Sequence, residues 1–430
     1  MGDGLSDDTL PMQYFLDRAR KEEKHAFFPP GEYSINANIL VHGKTNIHGS
    51  VKGITVFKAL PGKFLRISIG RNTTWNAKLS NFSITNVFFN GVKMDLTDRF
   101  YKNNIVLSNC VFLTSHREGS AVDPLIKYLS WHRVRHGVVR NAIFLRSKAA
   151  YGIGCGFFKT CSVRIHDNIF GLDLNNIGWL ASQYPGFHSW NKLIEKLQFI
   201  KKHYSMDGDQ GHYRSCIYGN HDDDILIQRN IFNGSPHVKY FRDHVIYLKG
   251  FDGLSVLGNY ARGWPSDPSG GLKMRNGENL VVARNFLVDT AILLYTHNET
   301  CSYDYLHRGL SNVLVYGNHL VETRNMGVWG TGISYFEPQC VGNDTNIVFT
   351  ANAFEILGLN GTHWPVGIHI TNGNTREHHV FRDNVYFRTS IPVKLKGFGE
   401  IRYEEGVPKP DLVFPFINIP IPSFMITVYE

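Results

Sequence analysis

Long apolar runs are missing from this chain. None of them reaches the roughly 18 residues that a membrane-crossing helix needs, so no such span is expected. Cysteine is scarce. The six residues form no CxxC pair and no dense framework, which argues against a zinc site and against a disulfide scaffold. Cys301 and Cys340 lie in polar loops close enough in the repeat to bridge, and the other four read as buried thiols. Charge is sparse at 19%, while aromatics reach 13%, which excludes a disordered chain. No Lys/Arg block is longer than Lys201-Lys202, so the net charge of +8 suits an anionic polymer at least as well as nucleic acid. The opening MGDGLSDDTLP holds no basic stretch followed by an apolar one, so no secretory leader is visible.

What the chain does have is a repeat. Nine short alternating runs end in Asn109, Asn141, Asn168, Asn230, Asn259, Asn285, Asn318, Asn352 and Asn384. Seven of the eight intervals fall between 26 and 34 residues, and the other is 62. Period-2 alternation before each Asn, as in Leu254-Ser255-Val256-Leu257, predicts strands rather than helices. Strands at a fixed phase of a repeat this long predict a solenoid: all-β, a right-handed parallel β-helix with each coil stacked on the last. The Asn are read as inward residues at a sharp turn, bonded to their equivalents above and below.

The ends depart from the repeat. Residues 1–35 are read as a cap, an amphipathic helix with Met12, Phe15, Leu16 and Ala19 on one face followed by a first strand. The solenoid is expected over 36–396, interrupted near 172–222. There FHSWNKLIEKLQFIKKHY (187–204) reads as an inserted helix that either packs on the coil wall or supplies lysines to a cleft. The polar stretch 205–224, with Asp222, Asp223 and Asp224, reads as a solvated loop, since no calcium-loop spacing is present. Residues 397–430 are Pro-rich and read as a second cap. The pattern GDG-x-x-DDT…PPG-x-Y resembles the N-terminal segment of the pectate-lyase-like β-helix superfamily, which includes polysaccharide lyases, hydrolases and phage tailspike depolymerases.

A β-helix holds long ligands on an outward face, where equal phase on successive rungs makes a line. In DHVIYLKGFDG (243–253) Ile246 and Leu248 should point inward, leaving Tyr247 and Lys249 outward. In GGLKMRNGENL (270–280) the outward pair is Lys273 and Arg275. Converging cations suit eliminative cleavage of a uronic-acid polymer. Arg grips a carboxylate, and Lys acts as base when neighbouring cations favour its neutral form. The string YLKGFDGLSVLGNYARGWPSDPSGGLKMRNGENLVVARN is similar to the central region of the chondroitinase B and alginate lyase family. That resemblance implies Lys249 as base and Arg275 as acid or carboxylate partner. Asn276 stands where the family usually has His, and the acidic calcium ligands expected before the Lys are replaced by Phe241-Arg242-Asp243-His244.

The sequence reading is therefore a lyase acting on an acidic polysaccharide, without a cofactor. Lys249, Arg275 and Tyr247 are its catalytic group, and Lys273, His244, His297, Trp329, Tyr335 and His369 are its substrate contacts. No nucleic-acid partner is expected, the chain is a monomer or homotrimer, and the setting is extracellular, secreted or virion-associated. Two alternatives stay open. One is a glycoside hydrolase or glycosyl transferase using paired carboxylates drawn from Asp243, Asp252, Asp267, Asp289 and Glu337, although none shows a partner at equal phase on the next rung. The other is a non-catalytic glycan-binding or attachment β-helix.

Overall fold

Alternating apolar and polar positions build strands here, and the strands stack in parallel as coils of a right-handed β-helix. The computed structural model describes residues 2–41, 44–60, 65–69, 80–97, 103–113, 129–145, 155–172, 190–203, 216–233, 244–264, 271–297, 309–322, 331–336, 345–356, 366–371, 379–387, 391–396 and 401–404. Two compact units are present, one within residues 1–213 and one within 214–419. No helix among the described residues is long and apolar enough to cross a membrane.

The first unit opens with a strand that sequence reasoning missed. Asp3–Asp7 pairs in parallel with Gly31–Ile35, ahead of the helix Thr9–Lys21. This pairing explains the GDG…PPG-x-Y pattern. Gly31 meets the carbonyl oxygen of Gly2 so closely that a Cβ there would lie 2.8 Å from it, and Gly2 itself (φ +80°) sits under the ring of Tyr33. Asp8 accepts hydrogen bonds from the backbone N–H of Ser34 and Gly2, while Asp7 accepts from the hydroxyl and N–H of Thr9. The helix buries Met12, Leu16 and Ala19 against strands Ala26–Phe28 and Ile39–Val41. Inside the coils, Phe57, Phe89, Phe112, Phe144 and Phe170 share one register row. The last three ring contacts in it are face to face, at 5.0, 4.9 and 4.5 Å. Each such contact adds about 0.5–1.5 kcal/mol beyond area burial.

The inserted helix is Trp190–His203, within the first unit, with Leu197 and Ile200 fully buried. It borders a cleft of about 730 Å³, which it lines with Glu195 and Phe199 opposite Pro30, Val51, Ile54 and Val56. Lys201 and Lys202 are exposed and do not line that cleft.

The Asn series needs one correction. Asn168, Asn230, Asn259, Asn285, Asn318, Asn352 and Asn384 are buried, but Asn109 is exposed and Asn141 half-buried. These two occupy the left-handed turn residue (φ 53° and 50°), one position before the ladder site. In other coils that turn is made by Asp167, Arg229, Gly258, Arg284, Gly317, Ala351 and Asp383, all at positive φ. Asn tolerates the left-handed conformation better than most residues, so an Asn in either of two adjacent positions gives the same sequence signal. The ladder site itself holds Cys110 and Ala142 in those coils. The Cys110 thiol donates to the carbonyl of Ile84 at 3.8 Å, much as the Asn168 amide donates to that of Val139 at 2.9 Å.

In the second unit the ladder is continuous. Each side-chain amide donates to the next Asn Oδ1 at 2.9–3.0 Å, from Asn230 through Asn259, Asn285, Asn318 and Asn352 to Asn384. The backbone N–H of each of the first five donates to that same oxygen. Asp222–Asp224 do not form a loop. Asp223–Gln228 is a strand, and Asp222 is buried at its start. The repeat also extends past Gly397, since Ile401–Glu404 pairs with His379–Arg382. Cys110, Cys155, Cys161 and Cys216 are free thiols, while Cys301 and Cys340 lie outside the described residues.

Candidate functional site

Two twelve-residue strands of the second unit, Ile246–Leu257 and Leu272–Ala283, carry the cations. Their inward residues Ile246, Leu248, Leu272 and Met274 are at most 1% exposed, which fixes the opposite face for Tyr247, Lys249, Lys273 and Arg275. The register puts Tyr247 level with Lys273 and Lys249 level with Arg275. On the preceding strand, Ile217–Asn220, Tyr218 is level with Tyr247 and Asn220 with Lys249. Both long strands bend after the cation through a left-handed residue, Gly250 (φ 64°) and Asn276 (φ 47°). Asn276 is buried (1% exposed), so it serves the bend and not the outer face.

Tyr247 is the hub. Arg275 Nη1 donates to its Oη at 2.8 Å, across the rung. The ammonium groups of Lys273 and Lys249 lie over its ring at 5.2 and 5.7 Å from the centroid, and Lys249 also lies 5.8 Å from the Tyr218 ring. Tyr218 meets Tyr247 edge-on at 5.5 Å, and His244 does so from another side at 4.9 Å. Three cations about one phenol make a local positive field, and the aromatic faces hold the two lysines by cation–π attraction. Arg275 is buried, so its guanidinium is a fixed anchor and not a mobile surface group.

His244 is buried and faces the phenol instead of solvent. Burial, helped by the Lys273 charge, pushes its imidazole down to about 2 from an ordinary 6.5. It is therefore neutral in the folded protein and takes its proton only on unfolding. Below pH 6.5 the unfolded chain binds the extra proton. Stability present above that pH is thus lost on acidification, by about 1.4 kcal/mol per pH unit. Denaturant unfolding from about pH 7 to 4.5 should show the wild type losing roughly 2–3 kcal/mol more than His244→Phe. Equal losses would mean that His244 titrates normally.

The remaining sequence-predicted contacts are spread along the strand rows. His369 shares the row of Lys273 through Leu293 and Gly332. His297 is two residues beyond Tyr295, which is level with Arg275. Tyr335 is level with Thr296, in the phase of the buried Leu294 and not that of the cations. Trp329 lies outside the described residues, as does Trp364. Sequence reasoning missed Tyr218 and Asn220. The alternation of Ile217 and Gly219 with Tyr218 and Asn220 carried the signal, but the polar residues on either side masked it. It also missed a carboxylate row. Asp252 is not in a turn but within a strand, level with Asp223 on one side and Glu278 on the other. No group of three or more His, Cys, Asp or Glu among the described residues is placed to hold a metal ion.

No family model and no curated protein matches the chain. Solved structures do. The A-module of mannuronan C-5 epimerase AlgE6 from Azotobacter vinelandii is similar with a TM-score of 0.57 at 13% identity, over 95% of this chain and 98% of that one. The surface adhesin PfbA of Streptococcus pneumoniae is similar at 0.56 and 14%, over 94% and 98%. The periplasmic alginate epimerase AlgG gives 0.50 and 13%, over 88% and 79%. At such identities the likeness is one of fold alone, the parallel β-helix.

Proposed function

We propose that this chain is a carbohydrate-active enzyme that cleaves an acidic, uronic-acid-containing polysaccharide by β-elimination. The observation that carries the reading is the register: Lys249 stands level with Arg275 on the next rung, and both converge on Tyr247. Arg275 pairs with the sugar carboxylate and draws charge from it, which acidifies the C5 proton. Lys249 takes that proton as the general base. The C4–O bond breaks as the C4–C5 double bond forms, and Tyr247 gives its phenolic proton to the leaving oxygen. Exchange with water resets Lys249 and Tyr247. Lys273, beside Tyr247, holds the carboxylate of a neighbouring sugar. Two structural neighbours are a mannuronan C-5 epimerase and an alginate epimerase, which supports a uronate as the reacting unit. A periplasmic protein and a surface adhesin among the neighbours support an extracellular or virion-associated setting.

A second reading has its own observation. The row Asp223, Asp252 and Glu278 sets carboxylate residues on adjacent rungs, whose strands lie about 4.8 Å apart, close to the roughly 5–5.5 Å that separates the carboxyls of a retaining glycoside hydrolase. The product separates the two. Incubation with alginate, polygalacturonate and chondroitin should release chains that bear an unsaturated uronate end, read by ultraviolet absorbance. New reducing ends without that absorbance would replace elimination by hydrolysis.

A further inference from the structure

The charge of this chain is concentrated in one place. Residues 124–166 contain eight Lys and Arg and neither Asp nor Glu, leaving 37 basic against 37 acidic residues elsewhere. The whole net charge of +8 thus belongs to 43 consecutive residues, all before the second unit begins. Five of the eight cations, Arg133, Arg135, Arg140, Lys159 and Arg164, lie among the described residues.

The fold gathers them on one outer face of the first unit. Strand His136–Arg140 buries Gly137 and Val139, turning His136, Val138 and Arg140 outward. Strand Cys161–His166 buries Val163 and Ile165, turning Ser162, Arg164 and His166 outward. Arg140 is level with His166, and Val138 with Arg164. Arg133 and Lys159 occupy the equivalent left-handed turns (φ 59° and 52°), joined by the bond from Arg133 N–H to the Phe158 carbonyl at 2.9 Å. Arg135, Arg140 and Lys159 are exposed, and Asp167 is engaged by His166 at 2.7 Å. The rung before presents Asn104, Val106 and Ser108, all uncharged. Strand His136–Arg140 advances about 3.3 Å per residue, so the cations run from the turn along roughly 13 Å of strand and across two rungs.

We propose that this band is a non-catalytic anchor for an acidic polysaccharide, holding the polymer outside the Lys249–Arg275 site; that the anchored polymer is a uronate rests on the reading above. A band of this length fits a linear polyanion and not a small anion. Single-stranded nucleic acid is the weaker fit, because its binders interleave cations with free aromatic faces. Among the described residues the outward neighbours of the cations are Val138, Ser162, Val106, His136 and His166, none of them Phe, Tyr or Trp, and the ring pair His132 on Phe158 is already stacked at 4.6 Å.

The test uses the full chain and the variant R135S/R140S/R164S, with R135E/R140E as a second probe. Binding to alginate and polygalacturonate is measured across a salt series, alongside a single-stranded thymidine oligonucleotide of matched charge. Both variants should bind the polyuronates at least tenfold more weakly, with a shallower salt dependence, while unfolding like the wild type and turning over a short uronate oligosaccharide at the wild-type rate. Lys249→Ala should lose turnover and keep polymer affinity, so failure of the catalytic reading leaves the anchor standing. Unchanged polyuronate affinity in both variants, no polyuronate binding by the wild type, or tighter band-dependent binding of the oligonucleotide would each overturn the proposal.

Discussion

Lys249→Ala should lower kcat/KM on a uronate polymer by about 10²–10⁴-fold, the usual contribution of a positioned general base. The half-buried side chain stands outward between Tyr218 and Tyr247, over rings at 5.8 and 5.7 Å. Truncation should therefore shift the unfolding free energy by no more than about 1–2 kcal/mol, the loss of two cation–π contacts at about 0.5–1 kcal/mol each. Binding of the polymer should persist, because Arg275 and Lys273 keep the carboxylate contacts. Retained turnover would remove Lys249 from the mechanism. A large fall in stability would instead make the residue structural.

Asn285→Ala, in the middle of the ladder of the second unit, should bring a large loss of stability. The Asn285 amide donates to Asn318 Oδ1 and to the Val256 carbonyl, both at 2.9 Å. Its own Oδ1 accepts from the N–H and the amide of Asn259 at 2.9 and 3.0 Å. Alanine removes all four bonds at a site 1% exposed and strands partners that water does not reach. Each stranded buried group costs about 1–3 kcal/mol, so a total of about 4 kcal/mol is expected after partial relaxation. Asn312 is the control, because its amide bonds to Asn279 at 3.2 Å on the exposed outer surface. Asn312→Ala, at a left-handed residue (φ 54°), should cost no more than about 1–2 kcal/mol, well below the buried ladder site. Denaturant titration of the two variants side by side decides whether ladder bonds stabilise through burial or merely decorate the repeat.

The repeat was legible because stacked coils demand the same residue types at the same phase, and that demand survives loops of different length. Its failures have physical causes. Asn109 and Asn141 were assigned to the ladder because Asn suits both the left-handed turn and the buried site after it. Lys249, Lys273 and Arg275 could be assigned to an outward face from Ile246, Leu248, Leu272 and Met274 alone. Which cation stands level with which depends on the loops between strands, and loop lengths carry no periodic signal. The same blindness hid the row Asp223, Asp252 and Glu278, because Asp223 reads as loop and Asp252 as turn until pairing aligns them. The first strand Asp3–Asp7 was missed because a parallel partner 24 or more residues away leaves no local trace. The interruption expected near 172–222 contains a helix of the first unit and the strand that brings Tyr218 beside Tyr247.

The central claim is that Arg275 and Lys249 act together on a uronate carboxylate and its C5 proton. The most direct measurement is the ultraviolet absorbance of unsaturated uronate ends, followed with one polymer in two forms, native and with its carboxylates reduced to alcohols. Steady growth of the absorbance with the native polymer and none with the reduced one is the predicted result. Equal cleavage of both forms, or reducing ends without unsaturation, would contradict it.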